Sequence, residues 1–314
     1  MVGGSIGGLC AGVALHAIGH DVDLFERREK GLSSRGAGIV VQPELLRLIE
    51  GIGGGPLPTT ACTHRRTEDA DGRVSGHHDM PQRFTSWEAI HRARRALHPA
   101  QRYHRGTDVR QCVQEREHVR HFDDAFVFCD ARDGGHALCY LIPGDEASVE
   151  RGSRRLNWVW YENVAEGDAL DAVLTDAAGR RRDGALPPGA MSATARQALH
   201  AKADRVLEPR FAALVGATRE PFLQAIEDQA ATRMVHGRAV LLGDAAFVVR
   251  PHTAAAAAKA AGDAMALADA LHDDPDDIDR ALQRHERQRL AYGRSLSAYG
   301  VALAHGALTA PGTR

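Results

Sequence analysis

From Val2 to Arg27 the chain reads V-G-G-S-I-G-G-L-C-A-G-V-A-L-H-A-I-G-H-D-V-D-L-F-E-R. Glycines at the head, a run of small residues, and a short apolar stretch closed by a carboxylate predict a glycine turn, a helix and a strand. That is the second half of a nucleotide-binding βαβ unit. Gly7, Gly8, Ala11 and Gly12 let the helix backbone come close to a sheet, and Gly19 sits where a left-handed terminator ends the helix. A helix amino terminus attracts a diphosphate through its unbonded N–H groups and its dipole. Ser5 occupies the middle position of the turn, where backbone approaches the pyrophosphate, and Glu26 is spaced to accept hydrogen bonds from an adenosine ribose. Only Met1 and Val2 precede Gly3, whereas such a turn follows a strand of several apolar residues, so a truncated first strand is expected. By itself the stretch fits an ordinary α/β domain with a glycine turn equally well.

A second stretch is more specific. Gly237 to His252 reads G-R-A-V-L-L-G-D-A-A-F-V-V-R-P-H and runs on into T-A-A-A-A-A-K-A-A-G-D-A. It predicts a buried strand over Ala239–Leu242 that ends in Gly243-Asp244, then an alanine-rich helix from about Thr253 to Leu271. A strand ending in Gly-Asp-Ala-Ala, with a proline and a helix start several residues on, resembles the second flavin fingerprint of the FAD-dependent aromatic hydroxylases, the class A flavoprotein monooxygenases. Four further stretches are similar to the 2,6-dihydroxypyridine 3-monooxygenase branch: R-G-A-G-I-V-V-Q-P (Arg35 to Pro43), M-P-Q-R-F-T-S-W (Met80 to Trp87), R-R-L-N-W-V-W-Y-E-N-V (Arg154 to Val164) and P-F-L-Q-A-I-E-D (Pro221 to Asp228).

The resemblance implies an α/β fold: a discontinuous Rossmann-like FAD-binding domain, an inserted β-sheet substrate domain and C-terminal helices. The expected spans are 1–64, 86–122 and 230–272 for the FAD-binding domain, 65–85 and 123–229 for the substrate domain, and 273–314 for the helical segment. It places Gly3, Gly4, Ser5, Ile6, Gly8, Glu26, Arg27, Gln42, Gly243, Asp244 and Pro251 at the cofactor, with Asp244 on the ribityl chain and His252 beside the flavin ring. Trp158, Trp160, Tyr161 and Gln224 become candidates for lining a substrate pocket, although large strand aromatics are more often plain core. The implied chemistry is hydroxylation of an electron-rich aromatic such as a hydroxylated pyridine, with FAD as cofactor, NAD(P)H as co-substrate and O2 as the oxygen source. The alternatives are an inactive or FAD-free remnant, and a related flavin-dependent reductase or halogenase.

The chain also departs from the family. An apolar strand ending in G-A-D-G, then a serine and an arginine, is expected in mid-chain and is absent from the sequence. Ala70 to Ser75, A-D-G-R-V-S, falls where a hairpin turn is expected, and the passage from Val119 to Phe126 suggests an internal deletion of several dozen residues. Ala254 to Ala258 stand where the family carries glycines, and their methyl groups crowd the place where a flavin ring comes close to backbone.

Elsewhere the patterns predict a short helix near Glu44–Ile49, a hairpin about Asp71-Gly72, a helix over Ser86–Leu97 with Ser86 as its cap, and a strand over Arg154–Tyr161 with Trp158 and Trp160 on one face. They predict a helix over 195–216, a strand over Pro221–Glu227, and one or two amphipathic helices in the last forty residues or so. With 314 residues, 44% of them hydrophobic, the chain can bury one large core or two smaller ones. A net charge of −2 gives no electrostatic reason to expect nucleic acid or a membrane surface as partner, and a small neutral partner fits better. The resemblance implies a small aromatic molecule as that partner and allows a homodimer. Five scattered cysteines without a C-x-x-C pair argue against a disulfide framework, and the histidines lack metal-ligand spacing, so no metal and a cytoplasmic location are expected.

Overall fold

The computed structural model describes residues 1–26, 38–51, 53, 55–98, 103–104, 113–114 and 121–304. Among the described residues eight α-helices follow one another: α1 (Ile6–Ala17), α2 (Pro43–Gly51), α3 (Trp87–Leu97), α4 (Asp168–Val173), α5 (Ala193–Val206), α6 (Pro209–Ala217), α7 (Ala256–Asp273) and α8 (Ile278–Ala304). The chain divides into two compact units: Met1–Leu57 with Trp87–Arg110 and Ile226–Arg314, and Pro58–Ser86 with Gln111–Ala225.

The first unit is built around α7, whose alanines let other helices come close. Ala257, Ala258, Ala260, Ala261, Ala264 and Ala266 are all buried, and α1, α2 and α8 pack against this helix. Helix α1 also packs on α3, and a methyl group at Gly12 would sit 3.6 Å from the His98 ring. The described parallel sheet is short: Leu24–Phe25 pairs with Tyr103–His104, and Val2 bridges to Phe25 from the other side. The strand expected over Ala239–Leu242 is corrected. Ala239–Val240 is instead one arm of a hairpin with Val235–His236, and Ala239 is exposed. Gly237, at a φ of +62°, opens the two-residue loop between the arms, and positive φ at that place is what a tight hairpin asks for.

In the second unit the strands lie in the order Val74–Ser86, Thr60–Glu68, Ala125–Asp130, His136–Ile142, Arg155–Tyr161, Val113–Gln114. All described neighbours are antiparallel except Thr60–Glu68 and Ala125–Asp130, which run parallel. The hairpin expected at Asp71-Gly72 is present, with Gly72 at a φ of +79°. One face of the sheet, carrying Val127, Cys129, Ala137, Cys139, Leu141 and Leu156, packs on Ala203, Val206, Phe211, Leu214 and Val215 of α5 and α6. On the other face Phe84 stacks on Tyr140 at 4.4 Å, and Phe126 meets both rings edge-on. The single helix expected over 195–216 is broken at Pro209, which cannot donate a backbone hydrogen bond. Glu208 restarts the chain as α6 by accepting the N–H groups of Arg210 and Phe211. Of the strand expected over Pro221–Glu227 only Leu223–Gln224 forms, paired with Ala185–Leu186. No helix among the described residues is long and apolar enough to cross a membrane. Cys10, Cys62, Cys129 and Cys139 are buried free thiols.

Candidate functional site

The glycine turn is shaped as its spacing demands. Gly3 has a φ of +102°, and a Cβ at Gly8 would lie 1.8 Å from the Gly3 carbonyl oxygen, so position 8 admits no side chain without moving the turn. Ser5 stands in extended backbone at the head of α1, its side chain making no cap hydrogen bond, and Ile6 is the first helical residue. Glu26 folds back on the turn and accepts the Gly4 N–H at 2.7 Å. Its carboxylate thus sits at the end of the next strand and beside the glycines together.

The second fingerprint meets the first. A Cβ built on Gly7 would lie 3.9 Å from the Gly243 Cα and 3.8 Å from the Ala260 Cβ, so α1, the Gly243 turn and α7 touch through residues with almost no side chain. Gly243 is buried and left-handed, with a φ of +58°. Its N–H is accepted by Asp263 Oδ2 at 3.0 Å, and its carbonyl accepts from Lys259 Nζ at 2.6 Å. Asp263 also takes Arg289 Nε on its other oxygen at 2.6 Å. Asp244, next along, is exposed. Desolvation by the surrounding protein raises its pKa, Lys259 draws it back down, and Asp263 pushes it up again.

Beyond the turn, Pro251–Thr253 form a single 3-10 turn. Helix α7 begins at Ala256, three residues later than expected, because Ala254 is left-handed at a φ of +50°. Gln42 ties this segment to α2: its Nε2 donates to the carbonyls of Thr253 at 3.3 Å and Ala254 at 3.0 Å. Thr253 Oγ1 accepts the Ala255 N–H at 3.2 Å. His252 is half-buried beside Pro251, which is exposed. Arg27 lies outside the described residues.

These residues fit a dinucleotide at two places, and the fit rests on this geometry. Position 8 of the turn excludes a Cβ because the Gly3 carbonyl closes on it, which is the tight glycine turn expected at the head of a pyrophosphate-binding helix. Asp244 offers an open carboxylate on a turn that touches that cradle through Gly7. At the third place Ala254 stands left-handed, a backbone conformation that favours glycine.

In the second unit the candidate pocket residues separate. Trp158 and Trp160 lie on the helix-covered face and pack against the core there. Trp158 Nε1 donates to Thr218 Oγ1 at 2.9 Å, and Lys202 stands 5.5 Å over the Trp160 ring. Tyr161 points to the opposite face, its ring 4.9 Å from His136. Burial pushes the Tyr161 phenol up to about 12 and lowers the His136 pKa. Gln224 is exposed on its two-residue strand. Among the described residues no group of His, Cys, Asp and Glu is arranged to hold a metal ion.

The FAD binding domain-like family matches residues 103–228. The 2,6-dihydroxypyridine 3-monooxygenase of Paenarthrobacter nicotinovorans is 30% identical, over 99% of this chain and 93% of that protein. The chain belongs to the FAD-dependent aromatic monooxygenases. The solved structure of 2,6-dihydroxypyridine-3-hydroxylase from Arthrobacter nicotinovorans superposes with a TM-score of 0.87 at 30% identity, covering 99% of this chain and 94% of that one. Klebsiella pneumoniae HpxO complexed with FAD and uric acid shares the fold at a TM-score of 0.67 and 19% identity, over 95% of this chain and 85% of that one. This monooxygenase is shorter inside than its relative. The alignment to the Paenarthrobacter enzyme spans 374 positions on a chain of 314 residues, which leaves at least 60 positions of the relative without a counterpart here.

The flavoprotein's second fingerprint is also held by residues that sequence reading passed over. Lys259, Asp263 and Arg289 hold the Gly243 turn from beneath. The available signal was Lys259 and Asp263 four residues apart in a helix otherwise made largely of alanine, a spacing that puts both on one face.

Proposed function

We propose that this chain binds FAD along Gly3–Gly8 and Asp244 and hydroxylates an electron-rich aromatic or N-heteroaromatic ring of the dihydroxypyridine kind, using NAD(P)H and O2. The observation that carries this reading is the contact of the two fingerprints, Gly7 against Gly243, with Glu26 and Asp244 at their ends. When bound, FAD supplies the relay of two electrons from NAD(P)H to dioxygen. One oxygen atom enters the ring in place of hydrogen and the other leaves as water. The protein's part begins with the turn at Gly3–Gly8, which offers backbone N–H groups to the diphosphate, while Glu26 accepts from the ribose hydroxyls. Asp244 accepts from the ribityl hydroxyls, a task that favours its ionised form.

For the substrate ring we favour the sheet face that carries Tyr161, because the face of Trp158 and Trp160 is already covered by α5 and α6. A phenol raised to about 12 stays protonated at neutral pH, so Tyr161 can donate a hydrogen bond to a ring oxygen, and His136, its pKa lowered, is neutral beside it.

The test is direct. Purified protein supplied with FAD should show a flavin spectrum and should oxidise NADH faster in the presence of 2,6-dihydroxypyridine, with a hydroxylated product. Asp244→Ala should lose flavin, because removing an acceptor for ribityl hydroxyls costs about 1.5–3 kcal/mol, or roughly ten- to a hundredfold in affinity. In the unaltered chain the raised Asp244 pKa means that the carboxylate is protonated at a higher pH than an ordinary aspartate, so flavin should be released early on acidification. Retention of flavin by Asp244→Ala would remove Asp244 from the assignment.

A second reading, a remnant of the family that takes up no FAD, is favoured by the absent mid-chain fingerprint and the left-handed Ala254. Colourless protein that leaves added FAD free in solution would establish it.

A further inference from the structure

Lys259 lies in the first turn of α7 with no solvent exposure, an expensive place for an ammonium group unless it is paired and hydrogen-bonded. Its Nζ is 2.6 Å from the Gly243 carbonyl oxygen and 3.5 Å from Asp263 Oδ2. The same Asp263 oxygen accepts the Gly243 N–H at 3.0 Å. One face of one helix therefore holds both polar backbone groups of a single residue. The residue it holds is left-handed and closely packed, since a Cβ there would lie 3.5 Å from the Ala260 Cβ.

The charge balance of the cluster points the same way. Lys259 and Arg289 share the one carboxylate of Asp263, which leaves one positive charge in excess. His285, buried nearby with its pKa lowered mainly by desolvation, adds none at neutral pH. Asp244, the residue after Gly243, is a further carboxylate whose ionised form Lys259 favours through space. An apolar side chain would fill the space beneath Gly243 at less electrostatic cost; a lysine grips the carbonyl of the residue that precedes Asp244.

Building on the FAD assignment above, we propose that Lys259 is a positioning residue for the cofactor. Gripping Gly243 by its carbonyl while Asp263 grips its N–H, it fixes the direction in which Asp244 presents its carboxylate to the ribityl hydroxyls of FAD. Lys259 acts through Gly243 and Asp244.

The experiment is a double-variant cycle read by equilibrium binding of FAD to apoprotein, followed by flavin fluorescence, with amide hydrogen exchange at Gly243 as a readout that needs no flavin. Lys259→Met keeps the aliphatic stem and removes the donor. It should weaken FAD about tenfold, as expected for a hydrogen bond from a charged group, and should speed exchange of the Gly243 amide. ADP, which reaches only the adenosine side, should bind the variant and the unaltered protein alike. In the Asp244→Ala background Lys259→Met should have no further effect on FAD. Additive losses in the double variant, or an equal loss of ADP affinity, would reveal a general structural role and overturn the proposal. If Lys259→Met does not fold by circular dichroism, Lys259→Gln, which keeps a shorter donor, carries the same cycle. A Gly243 amide that exchanges as fast as surface loops in the unaltered chain overturns the proposal without any variant. An unaltered chain that takes up no FAD refutes the function proposed above, and the exchange data then decide the clamp on their own.

Discussion

Arg94 lies on the buried face of α3 with Ala89, Ile90 and His91, and its side chain has no solvent exposure. Among the described residues none of its three guanidinium nitrogens finds a hydrogen-bond acceptor. The ionisable group it senses is Cys10 of α1. That thiol is pushed up to about 12 by burial, so at neutral pH it is uncharged and offers no counter-charge. Desolvation lowers the Arg94 pKa, yet an arginine keeps its proton near neutrality, and among the described residues nothing compensates the cation. Replacing it with methionine keeps an unbranched stem of similar reach and removes the buried donors. Relief of an unsatisfied charged group is worth about 3 kcal/mol, from which about 1 kcal/mol is lost to the volume left behind. The net gain of about 2 kcal/mol corresponds to a rise in Tm of about 4–8 °C for a unit of this size. Thermal unfolding of Arg94→Met followed by circular dichroism, with urea midpoints as a second measure, reads the change. A fall in Tm by a similar amount would refute the reasoning, because breaking a satisfied buried pair costs about 3–5 kcal/mol.

Two further predictions concern packing and pH. Gly293 of α8 faces the Phe247 ring, which would lie 2.5 Å from an added Cβ, and Phe247 is enclosed by Met234, Ala246, Val249, Leu290 and Leu296. Gly293→Ala should therefore cost about 1–3 kcal/mol through overpacking, seen as a lower urea midpoint, and an unchanged midpoint would show that the ring can move aside. Asp176 is held at about 2, against 3.8 for a free carboxyl, chiefly by the Arg180 N–H and then by Arg182 and the Ala178 N–H. A depressed carboxyl contributes its stability in full above the free value and loses it as the pH falls through the folded one. Asp176→Asn should be less stable than the parent above pH about 4, with the gap closing toward pH about 2. A gap of constant size across that range would exclude the carboxylate's charge as the cause.

What the sequence determined by itself is the set of features that depend on near neighbours. The glycine turn at Gly3–Gly8, the hairpin at Gly72, α2, α3 and the strand Arg155–Tyr161 follow from φ preferences, capping and periodicity, all of which act over a few residues. Alternation also put Trp158 and Trp160 on one face, correctly. It could not say which face α5 and α6 would cover, and that choice separates the two tryptophans from Tyr161. The apolar run Ala239–Leu242 looks the same whether it enters a parallel sheet or folds back on Val235–His236, and only the pairing decides between them. Tertiary structure alone brought Gly7 to Gly243, and it placed Lys259, Asp263 and Arg289 beneath them. The energy of a buried charge depends on what surrounds it, and those surroundings come from segments distant in the chain.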